Sequence, residues 1–186
     1  MKEAHAIGIV ELASLFKGFE VQDAVLKMTQ VEKLVARTIC SGKYIILVRG
    51  EIADVDECIE QAKEVGGFAI VNAVSIPNVD EAVFPAIAGT TVLDAPGVDG
   101  LLVIETFSVA AAIKAADYAV KEADVNLLRV HVAMAIGGKG LVVLTGNIEA
   151  LKMAVEPAIE YLKEDGTLGG YTLLTHPHED VVRDLL

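Results

Sequence analysis

The chain has 186 residues, 53% of them hydrophobic, which is enough to bury a core in one domain or in two small ones. Lys and Arg number 15 and Asp and Glu 27, and the formal net charge of −12 argues against a surface that binds nucleic acid or an anionic membrane. Mean hydropathy is +0.51 without an unbroken apolar run of transmembrane length. The composition therefore predicts an obligate oligomer that buries apolar surface between subunits.

The N-terminal residues, Met1 to His5, lead directly into the first strand pattern, so we expect no secretory signal peptide. Two cysteines are too few for a disulfide framework. Both observations predict a cytoplasmic protein.

Strand and helix patterns alternate through the first part of the chain. Val21, Ala24, Val25 and Met28 recur at helical spacing, and Ser41-Gly42 lies between two apolar runs as in a hairpin turn. In order, we predict a strand at 6–12, a helix at 16–28, strands at 31–39 and 44–48, a helix from Asp54 with a capping box to Glu57 and an end at Gly66-Gly67, and a strand at 68–75.

The same order returns about a hundred residues later. Glu11, Asp23 and Lys27 have identical residues 94 positions further on, and the offset grows to 96 after the hairpin and 100 near the end. The second hairpin is therefore longer by two residues. The second copy is predicted to have a strand at 101–107, a helical stripe at Val109, Ile113, Ala116 and Val120, a hairpin around 137–140, a helical stripe at Leu151, Ala154, Val155 and Ala158, and a strand at 170–175.

Each copy reads β-α-β-β-α-β, which is the ferredoxin-like arrangement of an antiparallel sheet with two helices on one face. The fold class is thus α/β in the α+β sense. We predict domains at 1–90 and 97–186. The segment from Asp80 to Gly97 is the expected linker, because it contains Pro85, Gly89 and Pro96.

Cys40 is the main candidate for chemistry, because it lies at the mouth of the first hairpin and the second copy has no thiol there. It is either a small apolar residue at a strand end or a metal ligand. One thiol cannot make a tetrahedral site, but a cyclic trimer would bring three to one axis. Cys58 falls on the apolar face of a helix, and the equivalent residue of the second copy is Ala154. Cys58 is therefore predicted to be a plain core residue.

The remaining polar motifs are weaker candidates. Gly137 to Gly140 is not followed directly by a helix, so a phosphate loop is not expected. Glu11 and Glu105 occupy equivalent positions, which favours a structural role. His176-Pro177-His178 is expected at the surface, and His131 as a satisfied core or interface histidine. No nucleophile and base pair is evident, so we do not expect an enzyme.

A combination of short motifs resembles a bacterial microcompartment (BMC) domain, and two in tandem resemble the BMC-T shell proteins. The motifs are the strand ending in Glu11, Asp23-x-x-x-Lys27, Ser41-Gly42-Lys43, Val48-Arg49-Gly50 and a last strand with proline. The usual Pro-Arg-Pro-His ending is replaced by Ser75-Ile76-Pro77-Asn78 and Thr175-His176-Pro177-His178, so the arginine part of the family's edge contact is not carried over.

The resemblance implies a structural shell protein that forms homotrimers similar in shape to the family's hexameric tiles. Cys40 before Gly42-Lys43 is most similar to the type found in propanediol-utilising compartments, which carries one [4Fe-4S] cluster per trimer, held by one cysteine per subunit. Cys40 is the matching metal ligand, and electron transfer across the shell is the implied role. The implied pore-lining residues are Ile39, Cys40, Ser41, Gly42, Ile136, Gly137 and Gly138.

Lys27 and Lys121 match the lysine at which family tiles meet, and we expect both on the rim, exposed and not paired within the subunit. Implied partners are other microcompartment shell proteins and an encapsulated redox enzyme, with no nucleic acid and no membrane. Two alternatives remain: a tile whose pore passes metabolites without a cluster, and a cytoplasmic ferredoxin-like ligand-binding module without a shell.

Overall fold

The computed structural model describes residues 5–92 and 98–185, which form two compact units, one ending at Val79 and the other beginning at Asp80. Among these residues, none of the helices is long and apolar enough to cross a membrane. Each unit contains a four-stranded antiparallel sheet. The predicted α+β class with two similar units is confirmed.

The first unit contains β1 (His5–Leu12), α1 (Leu15–Met28), β2 (Glu32–Ile39), β3 (Lys43–Glu51), α2 (Ile52–Gly66) and β4 (Ile70–Ile76), with 3-10 turns at Cys40–Gly42 and Gly67–Ala69. The second contains α3 (Val83–Ala88), β5 (Gly100–Thr106), α4 (Val109–Glu122), β6 (Asn126–Val132), β7 (Gly140–Gly146), α5 (Ile148–Glu164), β8 (Leu168–Thr175) and α6 (Glu179–Leu185). The sheet orders are β2-β3-β1-β4 and β6-β7-β5-β8, so the two copies have the same topology.

The core of the first unit lies between one face of the sheet and helices α1 and α2. Alternate strand residues point to this face, because successive side chains of a strand lie on opposite sides. Burial of each large aliphatic side chain contributes about 1.5–3 kcal/mol. The buried cluster includes Val10, Leu12, Ile46 and Val48 from the strands and Val21, Val25, Cys58 and Ile59 from the helices.

Side-chain caps explain where two of the helices begin. Ser14 accepts a hydrogen bond from the backbone N–H of Lys17, and Ser108 accepts one from that of Ala111. The predicted capping box is wrong, because α2 already begins at Ile52 and Asp54 lies inside its first turn. There the carboxylate faces the positive end of the helix dipole.

The predicted linker contains a helix that the sequence interpretation missed. Val83, Phe84 and Ile87 of α3 are buried, and α3 packs on β6 and α4. Pro85 is tolerated because it lies in the first turn, where its missing N–H has no intrahelical partner. The structure thus places 80–88 in the second unit, where the sequence had assigned them to a first domain at 1–90. Helix α6 was not anticipated either. Part of the linker, 93–97, lies outside the described residues.

Candidate functional site

The Cys40 turn is a single 3-10 turn, Cys40–Gly42, that joins β2 to β3. Ser41 has φ 64° and Gly42 has φ 69°, so both adopt left-handed conformations. Glycine takes this conformation without strain, whereas serine does so at a cost. The paired strands on either side hold the turn, with Ile39 opposite Lys43 in the register. The local sequence therefore fixes the backbone on which the thiol is presented.

Exposure differs within the turn. Ile39 is buried, Cys40 is a free, partly exposed cysteine, and Ser41 and Gly42 are exposed. The apolar residue anchors the end of β2, and the thiol is the reactive group that solvent reaches. Three of the residues expected to line a pore, Cys40, Ser41 and Gly42, are therefore accessible to solvent in the single chain. Ile39 is not.

The corresponding loop of the second unit runs from Ala133 to Lys139 and is longer, as predicted. Ala133, Ala135, Gly137 and Gly138 all have positive φ. Ile136 and Gly138 are half-buried and Gly137 is exposed. This loop contains no cysteine, so a thiol occurs at one of the two equivalent positions in each chain.

His131 has a hydrogen-bond partner, as the sequence predicts, and is half-buried in the single chain. Its Nε2 lies 2.6 Å from the backbone oxygen of Met134, so it is a half-buried residue that contacts the loop. The partner of the ring nitrogen is a main-chain carbonyl, which no sequence pattern indicates.

The two glutamates that recur in the repeat each bind the lysine after the hairpin. Lys43 Nζ donates to Glu11 Oε1 at 2.8 Å, and Lys139 Nζ donates to Glu105 Oε1 at 2.8 Å. The expected structural role is supported by these pairs. Sequence analysis missed the lysines as partners, although both occupy the same Gly-Lys motif.

Cys58 and the terminal histidines provide no second ligand. Burial raises the pKa of the Cys58 thiol to about 11, against a smaller opposite effect of a hydrogen bond with Thr29. It therefore stays protonated at neutral pH. His178 Nδ1 accepts the backbone N–H of Asp180 at the surface, as expected for this segment. Within 5–92 and 98–185, no group of three or more His, Cys, Asp or Glu residues could hold a metal ion.

The predicted edge lysines are exposed, but the expectation that they are unpaired is wrong. Lys27 Nζ lies 2.6 Å from Asp23 Oδ2, and Lys121 Nζ lies 2.6 Å from Asp117 Oδ2. Both pairs span one helical turn, a spacing at which opposite charges attract. The aspartates differ: Asp23 is exposed, whereas Asp117 is buried and also accepts the backbone N–H of Asp80 at 2.8 Å.

Comparison with known proteins finds the BMC domain twice, at residues 6–79 and 101–177. The chain is 39% identical to the bacterial microcompartment shell protein PduT of Citrobacter freundii over 98% of each chain. It matches the crystal structure of a microcompartment protein from Desulfitobacterium hafniense DCB with a TM-score of 0.92 at 36% identity, over 96% of this chain and 98% of that one.

A fused, permuted hexameric shell protein of the RMM microcompartment shares the fold, with a TM-score of 0.60 at 24% identity over 86% of this chain and 82% of that one. The resemblance drawn from Glu11, Lys27 and the Gly-Lys hairpins is thus confirmed over both repeats. The chain belongs to the BMC domain family, with two BMC domains in tandem, and is a structural shell protein of a bacterial microcompartment.

Proposed function

We propose that three copies of the chain form a pseudohexameric tile of the shell, and that three Cys40 thiolates hold one [4Fe-4S] cluster at its central opening. Electrons would cross the shell through this cluster to or from an encapsulated redox enzyme. The observation that carries the proposal is the Cys40 turn: one free, partly exposed thiol per chain on a backbone fixed by two paired strands.

Trimer formation is supported by the tandem repeat. Two similar units per chain supply six units when three chains close around an axis, and a closed ring leaves no interface unpaired. The chain is also unusually apolar for its charge, which fits a protein whose subunits bury surface against one another.

The chemistry of the donor suits an iron-sulfur cluster. Cysteine thiolate is the usual protein ligand of such clusters, and Cys40 is the accessible thiol while Cys58 is buried and protonated. Three chains would supply three thiolates, so the fourth iron would take a non-protein ligand such as water or a small thiol. When bound, a [4Fe-4S] cluster supplies one-electron transfer.

The residues around Cys40 hold the thiol in place. The left-handed conformations of Ser41 and Gly42 permit a turn of three residues, and the ion pair of Lys43 with Glu11 ties the start of β3 to the neighbouring strand. Buried Ile39 anchors the other side of the turn. A rigid turn keeps the sulfur at one position, which a ligand shared among three chains requires.

A second function is favoured by a separate observation. Ser41 and Gly42 are exposed, and the Ser41 hydroxyl is polar, so a ring of these turns without a cluster would form a polar pore for metabolites. The alternative of a ligand-binding module without a shell is excluded, because the chain is a shell protein.

Purification without oxygen, followed by measurement of oligomeric mass, iron and acid-labile sulfide, tests the proposal. We expect four irons and four sulfides per three chains, with a visible absorption that bleaches on reduction. A trimer that stays free of iron after anaerobic reconstitution would contradict the cluster and favour the metabolite pore. A stable monomer would contradict the tile itself.

A further inference from the structure

Ser41 has a backbone conformation that is costly for a residue with a side chain. Its φ is 64° and its ψ is 27°, in the left-handed region, where glycine is free of strain and a Cβ lies too close to the backbone. The paired ends of β2 and β3 hold the turn on both sides, with Ile39 opposite Lys43. A serine at this position therefore strains the turn.

The second repeat has glycine at the equivalent position. Counted back from the lysine that follows each hairpin, Gly137 corresponds to Ser41 and has φ 68°. Gly138 corresponds to Gly42, and both have positive φ. The two repeats thus share the local conformation, and the second adopts it without the strain. The turn itself does not require a serine.

The hydroxyl occurs in the copy that has the thiol. Cys40 directly precedes Ser41, whereas Ile136 precedes Gly137, so the second repeat lacks both groups. The Ser41 side chain is exposed, and no hydrogen bond joins its hydroxyl to another of the described residues. Contacts within the described part of the chain therefore do not account for the serine. Backbone strain of this kind is concentrated at functional sites.

We infer that the Ser41 hydroxyl donates a hydrogen bond to sulfur at the proposed [4Fe-4S] cluster and thereby sets its reduction potential. The inference rests on the proposed function and adds a second group of each chain to Cys40. Sulfur is a weak acceptor when neutral, but a hydrogen bond to a charged acceptor is stronger. An exposed hydroxyl next to a thiolate ligand is therefore a suitable donor.

The hydroxyl should favour the reduced form of the cluster. Hydrogen bonds to the sulfur atoms are among the factors that set the potential of an iron-sulfur cluster. Reduction adds one electron, so the sulfur atoms become more negative and accept the hydrogen bond more strongly. Three chains would supply three such hydroxyls. Loss of the hydroxyl should therefore make the cluster harder to reduce.

Substitutions of Ser41 separate the hydroxyl from the strain. Ser41→Ala removes the hydroxyl and keeps the Cβ, whereas Ser41→Gly removes the hydroxyl and also relieves the backbone. Ser41→Asn supplies an amide donor on a residue that tolerates the left-handed region. The control is Ser75→Ala, because the Ser75 hydroxyl donates to Asp56 Oδ1 at 2.6 Å, and Ser75 pairs with Gly8 of β1, away from the Cys40 turn.

Each protein is reconstituted without oxygen, and its iron and acid-labile sulfide are measured. The midpoint potential is then read from electron paramagnetic resonance during a redox titration, in which only assembled clusters contribute. We expect Ser41→Ala and Ser41→Gly each to lower the equilibrium constant for reduction about tenfold, which is about 59 mV for a one-electron couple. Ser41→Asn should recover part of this shift, and Ser75→Ala should match wild type.

Unfolding of the metal-free variants is a second readout. Ser41→Gly should unfold at a higher denaturant concentration than Ser41→Ala, and no difference would contradict the strain on which the inference rests. A potential unchanged in both variants, or lowered by Ser41→Ala and not by Ser41→Gly, would overturn the inference while leaving the cluster in place. Wild-type protein that binds no iron would instead contradict the proposed cluster, and the inference with it.

Discussion

Lys43 Nζ lies 2.8 Å from Glu11 Oε1, and the second unit repeats the pair with Lys139 and Glu105 at the same distance. The first pair joins the start of β3 to the end of β1, next to the Cys40 turn. Glu11 is the more buried partner, so its charge is less screened by water than that of a surface carboxylate. The repeat therefore preserves a contact that fixes the hairpin.

Lys43→Met should lower the free energy of unfolding by about 1 kcal/mol, because it leaves the half-buried Glu11 carboxylate without its cation. Lys63→Met is the matched control, since Lys63 pairs with Glu60 on the surface of α2 and its loss should cost less than about 0.5 kcal/mol. Urea unfolding measures both. Equal effects would show that the Glu11 pair is no more than a surface contact.

The sequence predicted the elements with strong periodicity. The stripe of Val21 and Val25 faces the core, and Gly66-Gly67 ends α2 with Gly67 at φ 50°. These features depend on residues near one another in the chain, where local propensity and capping act. The repeat supports these predictions, because each pattern occurs twice in the chain.

Contacts between distant residues could not be predicted in the same way. Helix α3 is buried by β6, about 40 positions later, and Pro85 and Gly89 made it read as a loop. The partner of Glu11 lies 32 residues away and depends on the register of β1 with β3. By contrast, the pair of Asp23 and Lys27 was readable from its spacing and was overlooked.

Asp117→Ala should destabilise the protein by about 1–3 kcal/mol, because a buried carboxylate that accepts the Asp80 N–H and pairs with Lys121 is lost. The control is the equivalent Asp23→Ala. Asp23 is exposed, so its removal should cost at most about 0.5 kcal/mol. The comparison is made by chemical unfolding. A larger loss at Asp23 would contradict the difference in burial.

Cys58 should make stability depend on pH in the alkaline range. Burial raises its pKa to about 11 from an ordinary 9.0, so the folded state keeps a proton that the unfolded chain releases. This contribution to the free energy of unfolding is fully present below pH 9 and is lost as the pH rises to about 11. The total loss is about 2–3 kcal/mol. The difference between wild type and Cys58→Ala, followed from pH 8 to 11, isolates it. Parallel curves for the two proteins would contradict the shift.

One contact between helix and sheet is filled differently in the two repeats, because the glycine is on the helix in the first repeat and on the strand in the second. In the first, Gly18 of α1 leaves room for the ring of Tyr44, and in the second, Gly140 of β7 leaves room for Ala112 of α4. A Cβ at Gly18 would overlap the Tyr44 side chain, so Gly18→Ala should cost about 1–3 kcal/mol.

The control for Gly18→Ala is Gly170→Ala, where a Cβ would meet no described atom within 4 Å. Its free energy of unfolding should stay within about 0.5 kcal/mol of wild type. Thermal unfolding compares the two variants. No loss for Gly18→Ala would mean that Tyr44 moves away at little cost.

Cys40→Ser and Cys40→Ala should abolish or strongly destabilise the proposed cluster, whereas Cys58→Ala should retain it. The reason is that Cys40 is the accessible thiol in an exposed turn, while Cys58 is fully buried among α1, α2 and the sheet and stays protonated. Because Cys40 is partly exposed and lies in a turn outside the core, its replacement should leave the fold and the oligomeric mass unchanged.

Anaerobic reconstitution with iron and sulfide, followed by visible absorption and electron paramagnetic resonance of the reduced protein, measures cluster content in each variant. Alkylation of the metal-free protein provides a second readout, since a neutral-pH reagent should modify Cys40 in the native state and Cys58 only after unfolding. A cluster signal that survives Cys40→Ala would contradict the assignment of Cys40 as the ligand. The remaining cysteine, Cys58, is buried in the core, so three chains would then supply no accessible thiolate.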